Sequence, residues 1–306
     1  RDTDRSRGLG DVYKRQDLLF IALLLLSIVV QCVFGNFPFA FFAFPLDVLL
    51  ALLWIGGMVY MYKEKRSSQA VRLWFSSQCT YWTLGWFLAG CLVIGLFPQL
   101  SVQETAEKSG IFSRLGCYNF MSSWIFVTGL FALLTHLGMI TLKRGFLPGR
   151  NRWRFVLNHA GLWLALFAGV IGSAEEQMLR IPVFRDSPSN EAYSEQGTKV
   201  YLPKALQLTD FTVEHYPNGN PRRFFAEVSI DGQPVHLEVN HPYAANWAED
   251  YYLTSYDVQS PQPRYCVVQI VREPLKHLMW LGIVMMLCGS GLLFLAGPDR
   301  RRMTSY

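Results

Sequence analysis

The chain has 306 residues, 51% of them hydrophobic and 15% aromatic, but only 17% charged. Soluble domains carry about 25% charged residues; here the shortfall collects in apolar runs near the ~20 residues that cross a bilayer, which excludes a purely soluble enzyme, a disordered chain and a secreted disulfide miniprotein. The net charge of +5 leaves no nucleic-acid footprint, because the basic residues form short clusters between the apolar runs, a membrane-topology signal.

Residues 1–16, RDTDRSRGLGDVYKRQ, lack a starting Met and resemble the translated adaptor tail found on fragmentary genes. They are set aside as non-native from the fold reasoning. Residues 17–174 then read as five apolar spans, about Leu18–Phe34, Phe39–Met61, Tyr81–Phe97, Phe120–Leu142 and Phe155–Ala174. The turn at Gly35, Asn36 and Pro38 predicts that the first two pack as an antiparallel hairpin. A sixth span, Leu275–Gly297, falls in segment 274–298 and is followed by a tail, 299–306.

The charges between spans predict their orientation. Lys63, Lys65, Arg66 and Arg72 form one cluster; Lys143, Arg144, Arg150, Arg152 and Arg154 form a second; Arg300, Arg301 and Arg302 form a third. Alternation of six spans puts all three on one side, and the positive-inside rule makes that side cytoplasmic. Loop 98–118 and segment 175–273 are then external. Within the latter, Phe224, Ala226, Val228 and Ile230 alternate with polar residues, Asp231-Gly232 follows, and Val235, Leu237 and Val239 alternate again. This predicts a hairpin whose turn wants positive φ. Asn218-Gly219 marks another turn, and Lys199–Leu206, Tyr251–Tyr256 and Tyr265–Arg272 read as further strands. The fold class is a polytopic α-helical membrane protein of about six transmembrane helices, with an external antiparallel β domain between helices five and six.

Six cysteines are present, none in a C-x-x-C pair, so a dithiol oxidoreductase or zinc knuckle has little support. Cys32, Cys91 and Cys288 lie within spans as small apolar fillers, and an external disulfide between Cys117 and Cys266 is one arrangement the sequence allows. The histidines are more informative, because an ionisable side chain within a bilayer is costly and usually serves a site. His159 falls about five residues inside span five, ~7–8 Å below the cytoplasmic edge at 1.5 Å per residue. His136 lies about seven residues inside span four, ~10 Å from the same edge. An imidazole there can bond a neighbouring helix, relay a proton or ligate a metal such as haem iron. These uses stay open for both, and Gly161 allows close approach of a helix or a flat cofactor. His277, at the outer mouth of span six, is either an interfacial polar residue or a second cofactor contact. His236 lies on a solvated strand face, and His215 and His241 lack metal-ligand spacing. There is no H-E-x-x-H, P-loop or G-x-S-x-G motif, and no catalytic residue is assigned.

The run Leu202-Pro203-Lys204-Ala205-Leu206-Gln207-Leu208 with Asp210-Phe211-Thr212-Val213-Glu214 resembles the ResB (CcsB) family of cytochrome c biogenesis proteins. The likeness continues through Tyr216-Pro217-Asn218-Gly219-Asn220-Pro221, Val239-Asn240-His241-Pro242, Thr254-Ser255-Tyr256-Asp257 and Val271-Arg272-Glu273-Pro274. Asn158-His159-Ala160-Gly161-Leu162-Trp163 with Gly172-Ser173-Ala174 is similar to the family's histidine-bearing helix. The similarity covers roughly 155–297; the first four spans match only in character, like the Bacteroidetes-type members. The resemblance implies a bacterial inner-membrane subunit of a cytochrome c synthetase (System II), with its large domain periplasmic. Its partners are a CcsA-like haem-handling membrane protein and apocytochrome c, and its cofactor is haem b, bound transiently. His159 is then the haem axial ligand, with His136 and His277 as weaker candidates. The main haem-attachment site, a tryptophan-rich loop, belongs to the partner; Trp247-Ala248-Glu249-Asp250 is too thin to stand for it. Two rivals remain: a noncatalytic scaffold that chaperones the apocytochrome through the β domain, and a self-contained bis-His haem b protein using His136 and His159.

Overall fold

The computed structural model describes residues 2–146, 152–260 and 262–296. The chain forms two compact units, Arg1–Ala168 with Leu278–Tyr306, and Gly169–His277. Its helices are α1 (Asp2–Phe34), α2 (Leu46–Glu64), α3 (Gln69–Leu73), α4 (Ser77–Leu96), α5 (Val102–Ala106), α6 (Ile111–Arg114), α7 (Trp124–Gly145), α8 (Arg152–Gly172) and α9 (Lys276–Ala296). Six of these, α1, α2, α4, α7, α8 and α9, are long and apolar enough to cross a membrane. They leave large apolar side chains such as Val33, Leu92, Leu287 and Phe294 exposed, a surface suited to hydrocarbon rather than water. Arg150 and the tail cluster Arg300, Arg301 and Arg302 lie outside the described residues.

The second span starts later than expected, at Leu46 rather than Phe39, because Phe39–Phe42 form a short 3-10 turn. Pro45 disfavours helical backbone at the residue before it, so α2 cannot extend backwards through Phe44. The predicted hairpin is also not a self-contained unit, since α1 and α2 both pack on α7. That helix is the centre of the bundle, with Leu134 and Met139 fully buried. Glycines let bulky neighbours in: a Cβ on Gly129 would lie 2.7 Å from the Trp86 ring, and one on Gly138 2.9 Å from the Met58 sulfur. Several tryptophan N–H groups find acceptors within the bundle, although among the described residues the buried Trp124 Nε1 does not. Trp86 Nε1 donates to Ile125 O at 3.1 Å, and Trp54 Nε1 to Thr135 Oγ1 at 3.2 Å. Buried Gln31 accepts from Trp124 N at 2.9 Å, which caps the start of α7 beside the Ser123 side chain. This satisfies donors that a helix start otherwise leaves open.

The second unit is an eight-stranded antiparallel sheet: β1 (Gln177–Phe184), β2 (Ser189–Ser194), β3 (Lys199–His215), β4 (Pro221–Ile230), β5 (Gln233–Glu238), β6 (Tyr243–Asn246), β7 (Glu249–Tyr256) and β8 (Tyr265–Arg272). Their order is β5-β4-β3-β2-β1-β8-β7-β6. The ends curl until β5 packs against β7, enclosing Leu179, Ile181, Leu206, Val228, Leu237 and Ile270. The expected hairpin is β4–β5, with Ile230 opposite Gln233 and positive φ at both Asp231 and Gly232. That pairing matches the twist a two-residue hairpin needs. Strand β3 is longer than the expected Lys199–Leu206, and β1, β2 and β6 add to the expected strands. A register shift between Leu208 and Asp210 breaks the alternation along β3, and β2, SNEAYS, turns only Ala192 fully inward.

All six cysteines are free. Cys266 is fully buried in the sheet's core, where burial pushes its thiol up to about 12. Burial also raises the Cys117 thiol. The Cys117–Cys266 disulfide allowed by the sequence is therefore not present.

Candidate functional site

The site is built on α8, whose residues fall on three stripes at 100° per residue. The first stripe, Asn158, Gly161 and Ala165, meets α9. A Cβ on Gly161 would lie 2.6 Å from Gly282 O, and one on Gly282 would lie 2.6 Å from Gly161 O. The two backbones thus touch, as small residues at membrane helix interfaces permit. Ser290 Oγ donates to Asn158 Oδ1 at 3.1 Å, while Asn158 Nδ2 donates to Arg154 O at 3.0 Å. The second stripe carries Ala160, Trp163, Leu164 and Phe167. Trp163 Nε1 donates to Leu134 O at 2.9 Å, and its ring stacks on Phe167 at 4.8 Å. An apolar cavity of about 320 Å³ lies on this side, lined by Met58, Gly138, Ala160, Trp163 and Met285 among others.

The third stripe holds Phe155, His159, Leu162 and Leu166. Leu162 is exposed, and His159 and Leu166 are half-buried. The imidazole stacks on the Phe155 ring at 3.7 Å and 14°. Its Nδ1 lies 2.9 Å from Phe155 O. A carbonyl only accepts, so Nδ1 carries the proton and the lone pair stands on Nε2. Among the described residues Nε2 has no hydrogen-bond partner. Arg144, from the end of α7, places its guanidinium 5.7 Å from the Phe155 ring centroid. Other cations at this end of the bundle also sit over rings: Arg66 on Tyr62, Lys143 on Phe75 and Arg152 on Trp153. The charged heads of Arg66, Lys143, Arg144 and Arg152 thus sit over aromatic faces, a cation–π arrangement.

His136 is different. Its Nδ1 lies 2.9 Å from Trp74 O and its Nε2 2.9 Å from Thr80 Oγ1. It is 3% exposed, and both nitrogens are engaged, so it ties α7 to the α3–α4 segment and has no lone pair left for iron. The His136–His159 ligand pair is therefore not formed in this arrangement. His277 is exposed in the first turn of α9. His236 pairs with Glu227 at 2.6 Å on the exposed sheet face. No cluster of three or more metal-ligating side chains occurs among the described residues.

Sequence reasoning passed over Phe155 and Arg144, whose roles depend on a ring stack that spacing alone does not reveal. It also passed over Asp47, an acid within an apolar run, which is buried with Oδ1 unpartnered. That signal was available, because a carboxyl inside a span is rare.

The ResB-like family model matches residues 143–263. Over this stretch the chain is similar to the ResB-like family. The match starts at the end of α7, takes in the whole of α8 with His159, and runs to the turn before β8; it begins earlier than the expected 155 and stops short of α9. No curated protein matches the chain. Among solved structures, the chain is similar to a cytochrome c haem lyase, CcmF, at 16% identity and a TM-score of 0.36, over 69% of this chain and 34% of that one. It therefore spans about a third of that protein's length.

Proposed function

We propose that this protein is a membrane subunit of a cytochrome c synthetase, and that His159 supplies one axial nitrogen to haem shared with a companion subunit. The observation that carries this reading is the state of the His159 ring. Its proton is committed to Phe155 O, its plane is fixed by the Phe155 stack, and among the described residues its Nε2 lone pair is left over on a half-buried stripe beside exposed Leu162. A backbone carbonyl on the far nitrogen is the usual way a ligating imidazole is held in one tautomer.

The residues fit a porphyrin in kind. Haem, when bound, would supply an iron that accepts the imidazole and a vinyl-bearing ring for attachment to cysteine thiols. The chain's own contribution is to orient one nitrogen, offer an apolar helix face, and bring Arg144 near the anionic edge. The half-buried stripe leaves the opposite wall to a partner, a CcsA-like protein with the second axial ligand and the attachment loop. With the basic ends of α2, α7 and α8 in the cytoplasm, the positive-inside arrangement, His159 lies toward the inner leaflet and the β domain is periplasmic, within reach of apocytochrome c. That domain carries no catalytic constellation on the described residues, which supports a docking role for it.

The test is His159→Ala co-purified with the companion subunit. The inner-site haem absorbance should vanish and return with added imidazole. Unchanged haem content would overturn the ligand role and favour a scaffold that only holds the apocytochrome.

A further inference from the structure

The β6–β7 hairpin carries a tryptophan at its tip that the haem reading does not use. Trp247 is 65% exposed, and the hairpin around it is pinned at several points. Asn246 Oδ1 accepts from Ala248 N at 2.8 Å, and Asn246 Nδ2 donates to Glu249 at 2.9 Å. More telling is what it is pinned to. Glu273 N donates to Ala248 O at 2.8 Å, Arg272 Nε bonds Glu249 at 3.0 Å, and Lys276 Nζ pairs with Asp250 in a bridge largely shielded from solvent. Lys276 is the first residue of the sixth candidate span. The hairpin tip is therefore fastened to the few residues that must lie at the membrane interface if α9 crosses the bilayer.

The dimensions agree. Glu273 and Lys276 are three residues apart, and the tip is hydrogen-bonded directly to Glu273. The headgroup layer adds roughly 5–8 Å to each side of the hydrocarbon, about the reach of an indole side chain. Tryptophan is the side chain that prefers that layer, with an apolar ring body and one N–H to hydrate. Leaving a large indole in water at this position would forgo that burial.

We infer that Trp247 is an interfacial anchor: its ring inserts into the headgroup region beside the start of α9, so that the β domain is held to the membrane by a lipid contact as well as by its two covalent tethers. The inference needs only that α9 spans the membrane, and it is independent of any haem role.

The full chain is reconstituted in nanodiscs of phosphatidylcholine and phosphatidylglycerol in equal parts. A fluorophore is placed at Trp247→Cys, or at Val258→Cys on the opposite end of the β7–β8 hairpin, where the side chain is 75% exposed. Headgroup-proximal nitroxide lipids should quench position 247 several-fold more than position 258, after subtraction of the unsubstituted chain. A second measurement avoids substitution. In radical footprinting of the native protein, Trp247 should be protected in nanodiscs relative to Tyr201, which has nearly the same exposure at 64%. Equal quenching at both positions, or protection of Trp247 that appears only on adding apocytochrome c, overturns the lipid contact.

Discussion

Helices α7 and α8 each carry one histidine, and the two are held in opposite ways. His136 on α7 sits among side chains that bury it from every direction, and both of its nitrogens are consumed by Trp74 O and Thr80 Oγ1. His159 on α8 is bonded through Nδ1 only to its own helix, its ring rests on a neighbour four residues earlier, and it is half-buried beside exposed Leu162. Both are imidazoles at comparable positions along adjacent helices. What separates a fastener from a ligand candidate is the second nitrogen and what covers it. Residue type and depth, which the sequence displays, do not decide between them.

The comparison breaks most sharply if α8 is turned, because rotation would move the stripe that carries His159. The Gly161–Gly282 contact fixes that rotation. Gly161→Ala puts a methyl group 2.6 Å from a backbone oxygen, a clash that a flexible side chain cannot relieve. Overpacking of this kind costs about 1–3 kcal/mol, and the thermal midpoint in detergent should fall accordingly. Gly169→Ala on the same helix meets nothing within 4 Å and should be neutral or stabilising by about 0.5–1 kcal/mol. Equal effects from the two would mean that the α8–α9 contact does not set the helix's rotation.

Next in size is His136→Ala. It strands Trp74 O inside the bundle and leaves Thr80 Oγ1 with only the longer bond to Ser76 O at 3.5 Å, at a cost of about 1–3 kcal/mol for a buried group left unpaired. Stability should drop while the haem content of the surviving folded complex is unchanged. Loss of haem in proportion to His136→Ala, without loss of fold, would return that residue to the list of ligands.

The six spans and strands β3, β4, β5, β7 and β8 were legible because their signals are local. An apolar run of twenty residues and an Asp-Gly between alternating segments each act along one short stretch of chain. Where the reading failed, the cause was contact at a distance. Strand β2 is polar in sequence and becomes a strand by pairing with β1 and β3. The start of α2 was misplaced because Phe39–Phe42 is as apolar as the helix, and only Pro45 marks the boundary. At the candidate site, His159 was visible as a costly polar group, but its difference from His136 lies in hydrogen bonds across 56 and 62 residues of sequence, which no spacing rule carries.

The finest test concerns how His159 is aimed. The Phe155 carbonyl belongs to the backbone and survives any substitution, so the ring stack can be removed alone. Phe155→Leu keeps an apolar side chain and the helix but loses the aromatic face. Such a stack is worth about 0.5–1.5 kcal/mol, up to about tenfold in rotamer population. Haem should therefore still bind in the complex with the companion subunit, but with a shifted midpoint potential and a broadened low-spin resonance, and Phe155→Tyr should restore both. A purely structural role for Phe155 would lower yield without moving either spectroscopic quantity. A Phe155→Leu complex spectroscopically identical to the parent would show that the carbonyl alone orients the imidazole, and that Arg144 over the Phe155 ring serves only to close the end of the bundle.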